Sequence, residues 1–133
     1  MNFKEYQKEI PKNFKPFQPL NEQQTRAINW TVGICNEAGE LAGVVKHGIF
    51  HGEPLDRMVI AKEIGDVMWY LTALCETLGI TLEDCAELNI AKLTHRHQGK
   101  QFTTDGSNER HQREEAFTDT KIYKQLKERI TNA

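Results

Sequence analysis

Two pairs of acids at helical spacing sit inside stretches that otherwise carry almost no charge. Glu37 and Glu40 lie within the run from Ala27 to Val45, which has no other charged residue, and Glu63 and Asp66 come just before the apolar run Val67–Leu71. Residues three apart on a helix share a face, so each pair can aim its carboxylates at one point. If the two helices run antiparallel, all four acids converge. Carboxylates crowded in apolar surroundings need protons, cationic side chains or a metal ion as partners. Lys46 and Lys62 are the nearest candidates for salt bridges, and a divalent cation is the favoured alternative.

The flanking periodicity is helical. Asn21 is a good N-cap and Gln24 completes a capping box, so a helix is expected from Asn21 to about Ile49. It carries two apolar stripes, Ile28, Val32, Cys35, Ala42, Val45 and Ile49 on one and Trp30, Ile34, Leu41 and Val44 on the other. Such a helix must be covered on more than one side, and a symmetric partner meeting Trp30 or Leu41 would supply the second cover. Gly33, Gly39, Gly43 and Gly48 each cost about 1 kcal/mol relative to Ala in a helix, which points to close backbone approach or local deformation.

Gly48, Gly52 and Pro54 end this helix. The pair His47 and His51 lacks a third nitrogen or sulfur ligand at matching spacing, so zinc is disfavoured there. A second helix runs from Leu55 to about Leu78, with Asp56 or Pro54 near its start and Ile60, Ile64, Val67, Leu71, Leu74 and Leu78 as its stripe. Glu63, Asp66 and Tyr70 form a separate stripe beside it. Gly79 supplies a C-cap, and Thr81 with Asp84 an N-cap signature, for a third helix over Leu82 to His97 with Leu82, Ala86, Ile90 and Leu93 inward. Asn89, Lys92 and Arg96 share a face of it. They can hydrogen-bond a sugar or base and neutralise phosphate oxygens, or the two cations merely favour the helix dipole.

The termini are less constrained. Residues 1–20 read as an arm with a short amphipathic helix from Phe3 to Ile10, broken by Pro11, Pro16 and Pro19, that packs Phe14 and Phe17 on the body, with a frayed terminus as the alternative. Residues 21–98 form the helical domain. Residues 99–133 comprise a polar loop around Thr103 to Asn108 and a last helix from about Glu114 to Ile130, marginal alone, which docks on the body or on a second chain; a mobile tail is the alternative.

At 133 residues the chain holds one domain. A net charge of -2 gives no basic field, which disfavours a nucleic acid polymer as partner. No signal peptide or membrane span is expected, and Cys35, Cys75 and Cys85 fall in apolar helical stretches as small buried hydrophobes, consistent with a reducing cytoplasm. The all-oxygen ligand set favours Mg²⁺ or Mn²⁺ over zinc. The lack of Glu-x-x-His pairs argues against a di-iron bundle.

The motifs N-E-A-G-E-L-A (36–42), H-G-E-P-L-D (51–56), E-I-G-D-V-M-W-Y-L (63–71), L-G-I-T-L-E-D (78–84) and N-I-A-K-L-T-H-R (89–96) resemble the MazG-like nucleoside triphosphate pyrophosphohydrolases. These belong to the all-α NTP pyrophosphatase superfamily, and the resemblance covers roughly residues 28–97. It implies an all-α antiparallel bundle of about four to five helices, assembled as a dimer or dimer of dimers. It also implies Mg²⁺-dependent hydrolysis of a (d)NTP to the monophosphate and diphosphate. Glu37, Glu40, Glu63 and Asp66 would be the metal-binding and catalytic acids, and Asn89, Lys92, Arg96 and Tyr70 match nucleotide-contacting positions. Many members have two consecutive acids where this chain has Asn36-Glu37, a common Tyr is replaced by His97, and a common His by Glu53. A non-catalytic nucleotide-binding or helical interaction protein on the same frame is the alternative.

Overall fold

The computed structural model describes residues 2–15, 17–97 and 109–132. Six α-helices follow one another among them: α1 (Phe3–Glu9), α2 (Glu22–His51), α3 (Arg57–Leu78), α4 (Leu82–Arg96), α5 (Arg110–Thr118) and α6 (Lys121–Thr131), with a 3₁₀ turn at Ile10–Asn13. The expected all-α architecture is what the chain adopts. The loop expected at Thr103 to Asn108 lies outside the described residues.

The helix ends follow from their capping residues. Gln24 N–H donates to the Asn21 side chain at 2.8 Å, and Asn21 N–H donates to Gln24 Oε1 at 3.0 Å, closing the capping box of α2. Gly52 ends α2 and Gly79 ends α3, each at φ 69°. At both, the next residue donates its N–H back into the helix, Glu53 to Gly48 O at 2.9 Å and Ile80 to Cys75 O at 3.1 Å. This left-handed turn suits glycine and satisfies carbonyls that would otherwise lack a partner. Asp56 then caps α3, accepting from Met58 N–H at 2.8 Å, and Thr81 caps α4, accepting from Asp84 N–H at 3.0 Å.

Such short turns make α2 and α3 an antiparallel pair, the main packing unit of the chain. Gln23 and Trp30 both reach Thr77, the former through Nε2 to the carbonyl at 3.0 Å and the latter through Nε1 to Oγ1 at 2.9 Å. Trp30 and Tyr70 meet in the same seam and Trp69 packs edge-on to both at its margin, with centroids 5.7, 6.2 and 5.0 Å apart for Trp30–Trp69, Trp30–Tyr70 and Trp69–Tyr70. Tyr70 lies over Gly33, and Leu55 lies against Gly48, whereas Gly39 and Gly43 face open space. Close approach therefore accounts for two of the four α2 glycines.

The two apolar stripes of α2 have different fates. Trp30, Ile34, Leu41 and Val44 are half-buried toward α3, while Ile28, Val32, Cys35, Ala42 and Ile49 are exposed. The second face of the helix is thus the Ile28–Val32 stripe, and Trp30 and Leu41 are committed to the chain's own seam. Ile64, Met68 and Trp69 continue the exposed apolar surface onto α3. Of the cysteines, Cys75 is buried and Cys85 half-buried, but Cys35 is exposed, contrary to expectation.

The C-terminal segment is two helices rather than one. Thr120 starts α6 by accepting from Tyr123 N–H at 3.2 Å, so the Asp119-Thr120 corner caps a new helix where the periodicity alone suggested continuation. Phe117 before the break and Leu126 after it are both buried, with Phe117 against His95 of α4 and Tyr123 of α6. Both helices dock on α4. Arg129 bridges Asp84 at 2.7 Å and Glu87 at 2.5 Å, while Arg113 donates to the Arg96 carbonyl at 2.5 Å. The arm does not pack as expected: Phe14 and Phe17 are exposed, because Pro11 and Pro19 prevent α1 from running on into α2 and no apolar seat on α2 or α3 receives them.

Candidate active site

Glu37 projects from the middle of α2 beside Glu63 and Asp66 of α3, and each offers a carboxylate oxygen within 4.8 Å of the others. The group is the only gathering of three potential metal ligands found among the described residues. Glu37 and Glu63 are half-buried and Asp66 is exposed, so the cluster opens to solvent on one side. Among the described residues, no Lys or Arg ion-pairs with any of the three. The Lys46 and Lys62 alternative has no such contact in this fold.

Glu40 is not part of the gathered group. Its Oε1 accepts from Asn36 Nδ2 at 2.7 Å, and the same amide reaches Glu37 Oε1 at 3.5 Å. Asn36 therefore tethers both glutamates of α2, a role that spacing alone did not reveal. An amide hydrogen among carboxylates is the feature that could have pointed to it, since Asn36 lies one turn before Glu40.

The remaining candidates are dispersed. Tyr70 stands one turn beyond Asp66 with its ring over Gly33. Asn89 is exposed and Lys92 half-buried on α4. Neither makes a hydrogen bond or ion pair to the acids. Arg96 donates from Nη2 to Glu114 of α5, and its side chain is 14% exposed. It is thus committed to holding the C-terminal helices. His47 and His51 lie with ring centroids 4.4 Å apart, with His47 Nδ1 3.6 Å from Glu53 Oε2, and among the described residues they gather no third nitrogen or sulfur ligand.

Three carboxylates without His or Cys, unpaired with cations and open on one side, suit a hard divalent cation that keeps further positions for water and phosphate. The class so defined is an all-α protein whose acidic cluster is drawn from two antiparallel helices. The model of the MazG nucleotide pyrophosphohydrolase domain matches residues 27–100. The chain belongs to this family. It is also 33% identical over 84 residues to the Gene 37 protein of Mycobacterium phage L5, a match spanning 59% of this chain and 72% of that protein. No solved structure matches. Among the described residues, no helix is long and apolar enough to cross a membrane.

Proposed function

We propose that the chain is a Mg²⁺-dependent nucleoside triphosphate pyrophosphohydrolase, converting a (d)NTP and water to the (d)NMP and diphosphate. The observation that carries this reading is the convergence of Glu37, Glu63 and Asp66 within 4.8 Å inside a MazG domain. These three residues would hold Mg²⁺, or Mn²⁺ in its place. When bound, the ion offsets phosphate charge and acidifies a coordinated water. Glu40 stands one turn from Glu37, where the Asn36 amide holds its carboxylate ready to join the set. One of these acids takes the proton of the attacking water.

Tyr70, Asn89 and Lys92 are the substrate-contacting residues of this reading, with the Lys92 ammonium on the phosphates and the Asn89 amide on the sugar or base. Asn89 and Lys92 belong to α4, whereas the acids belong to α2 and α3. A homodimer or homotetramer resolves this separation, because α4 of a second subunit can complete the site. The exposed Ile28–Val32 stripe supports such assembly. Function in the cytoplasm on free nucleotides follows from the same reading.

Diphosphate release should be measured with Mg²⁺ across canonical and oxidised (d)NTPs. Turnover of at least one nucleotide supports the proposal. Saturable nucleotide binding without turnover establishes the non-catalytic binding protein instead.

A further inference from the structure

Trp69 stands three residues after Asp66 on α3, so its indole shares a helix face with the exposed acid of the cluster, about 5 Å further along the axis. Ile64 and Met68, two positions either side of Asp66, fall on the opposite face. The side on which Asp66 opens the cluster to solvent is therefore the side on which Trp69 lies.

Tryptophan is highly buried on average, yet Trp69 is 59% exposed. Its indole is nonetheless fixed from both helices. It meets the Trp30 ring of α2 at 86° and the Tyr70 ring of α3 at 88°. Both contacts are edge-on, so neither neighbour lies flat against it. Trp30 is in turn anchored through Nε1 to Thr77 Oγ1 at 2.9 Å, and Tyr70 fills the space over Gly33. A flat aromatic surface held in this way loses little freedom when another ring stacks on it.

The neighbours of Trp69 point to a small planar ligand rather than a protein surface. At three, four and seven residues along α3 they are Lys62, Gly65, Asp66, Thr72, Ala73 and Glu76, none of them a large hydrophobe. The core of a subunit interface is depleted of charge, whereas here one exposed indole is ringed by small and charged residues. The chemistry beside it selects the ligand. If Glu37, Glu63 and Asp66 hold the metal of a nucleotide hydrolase, the reading on which this inference rests, the phosphates lie at the acids. The base then follows one sugar away, a separation comparable to the single helical turn between Asp66 and Trp69. Every base has a π-face that can stack on an aromatic side chain.

We infer that Trp69 is the platform on which the base of the bound nucleotide stacks, adding to the affinity for a nucleoside triphosphate what inorganic tripolyphosphate cannot gain.

The test is equilibrium binding by calorimetry with Mg²⁺ and two kinds of probe. One is the set of α,β-imido analogues of the four canonical dNTPs, which resist cleavage, and the other is inorganic tripolyphosphate, which has phosphates without a base. Trp69→Ala should weaken the tightest-bound analogue at least about fivefold, the low end for loss of one base–aromatic stack, and leave tripolyphosphate within about twofold of wild type. Trp69→Phe should restore most of the lost affinity. The same analogue should quench tryptophan fluorescence in the wild type but not in Trp69→Phe, where only Trp30 of the chain's two tryptophans remains. This second readout serves if Trp69→Ala disturbs the packing of Trp30 and Tyr70. Equal weakening of both probes, with or without a fall in mass by light scattering, would make Trp69 a structural or interface residue and overturn the inference. Unchanged affinity for the analogue in Trp69→Ala, or undiminished quenching in Trp69→Phe, would overturn it while leaving the metal site standing. Wild-type protein that binds neither probe would remove the underlying reading and the inference with it.

Discussion

A Cβ built on Gly33 of α2 would stand 2.3 Å from Cδ1 of Tyr70 on α3, so the tyrosine ring occupies the space that any larger residue would need. The contact lies one turn from Glu37 and one turn from Asp66. It therefore sets the separation of the two helices where the acids meet. Gly33→Ala gains about 1 kcal/mol of helix propensity but must displace a ring in contact with the Trp30 and Trp69 indoles, an overpacking cost of about 1–3 kcal/mol. The expected outcome is a net loss of stability in denaturant titration, accompanied by reduced turnover. A variant more stable than wild type would mean that Tyr70 is free to leave the seam.

Removing charge from the acidic cluster should separate chemistry from folding. Glu63→Gln and Asp66→Asn are expected to lower turnover at least a hundredfold while leaving the metal-free melting temperature unchanged or raised, because like charges in close proximity destabilise one another. A large fall in the metal-free melting temperature would show that these acids anchor the fold through cationic partners.

Metal binding should be visible without any substrate. Mg²⁺ and Mn²⁺ are expected to raise the melting temperature of the wild type by mass action, and the rise should vanish in Glu63→Gln. Ca²⁺, larger and more loosely coordinated, is expected to bind without supporting turnover. Activity that survives exhaustive chelation would contradict this assignment.

The attachment of the C-terminal helices should depend on pH. The Thr81 hydroxyl, donating to Asp84 at 2.7 Å, holds the Asp84 carboxyl below its ordinary 3.8; burial opposes the shift and the Arg129 guanidinium reinforces it. Because the folded-state value is the lower one, this contribution to stability is present above the ordinary value and is lost as pH falls through the depressed one. The protection of α6 amides relative to their intrinsic exchange rate at each pH should therefore fall at acid pH in the wild type. In Arg129→Met that protection should already be low near neutrality and depend less on pH. Equal protection in both proteins at neutral pH would show that apolar packing alone holds α6.

Much of the fold was legible because its signals are local. Asn21 with Gln24, Asp56, Gly79 and Thr81 mark helix ends through capping chemistry that involves only neighbouring residues, and the structure uses each of them. The acid pairs were legible because spacing fixes the face of a helix. What the sequence concealed depends on contacts between distant residues. The ion pair of Arg96 with Glu114, eighteen residues on, has no signal in the spacing of α4. Glu40 and Glu37 look equivalent in the sequence, and only the fold shows that Glu37 gathers with Glu63 and Asp66 while Glu40 accepts from the Asn36 amide. Similarly, Phe14 and Phe17 look like core residues when only their hydrophobicity is read, yet nothing on α2 or α3 receives them.

Phosphorus NMR of a nucleoside triphosphate incubated with Mg²⁺ and either wild-type or Glu63→Gln protein joins the carboxylate cluster to the chemistry. The wild type is expected to yield the nucleoside monophosphate and diphosphate in equal amounts, with no orthophosphate, and Glu63→Gln to leave the triphosphate intact. Orthophosphate and a nucleoside diphosphate as products, or undiminished turnover by Glu63→Gln, would contradict the assignment of Glu37, Glu63 and Asp66 as the metal site of a pyrophosphohydrolase.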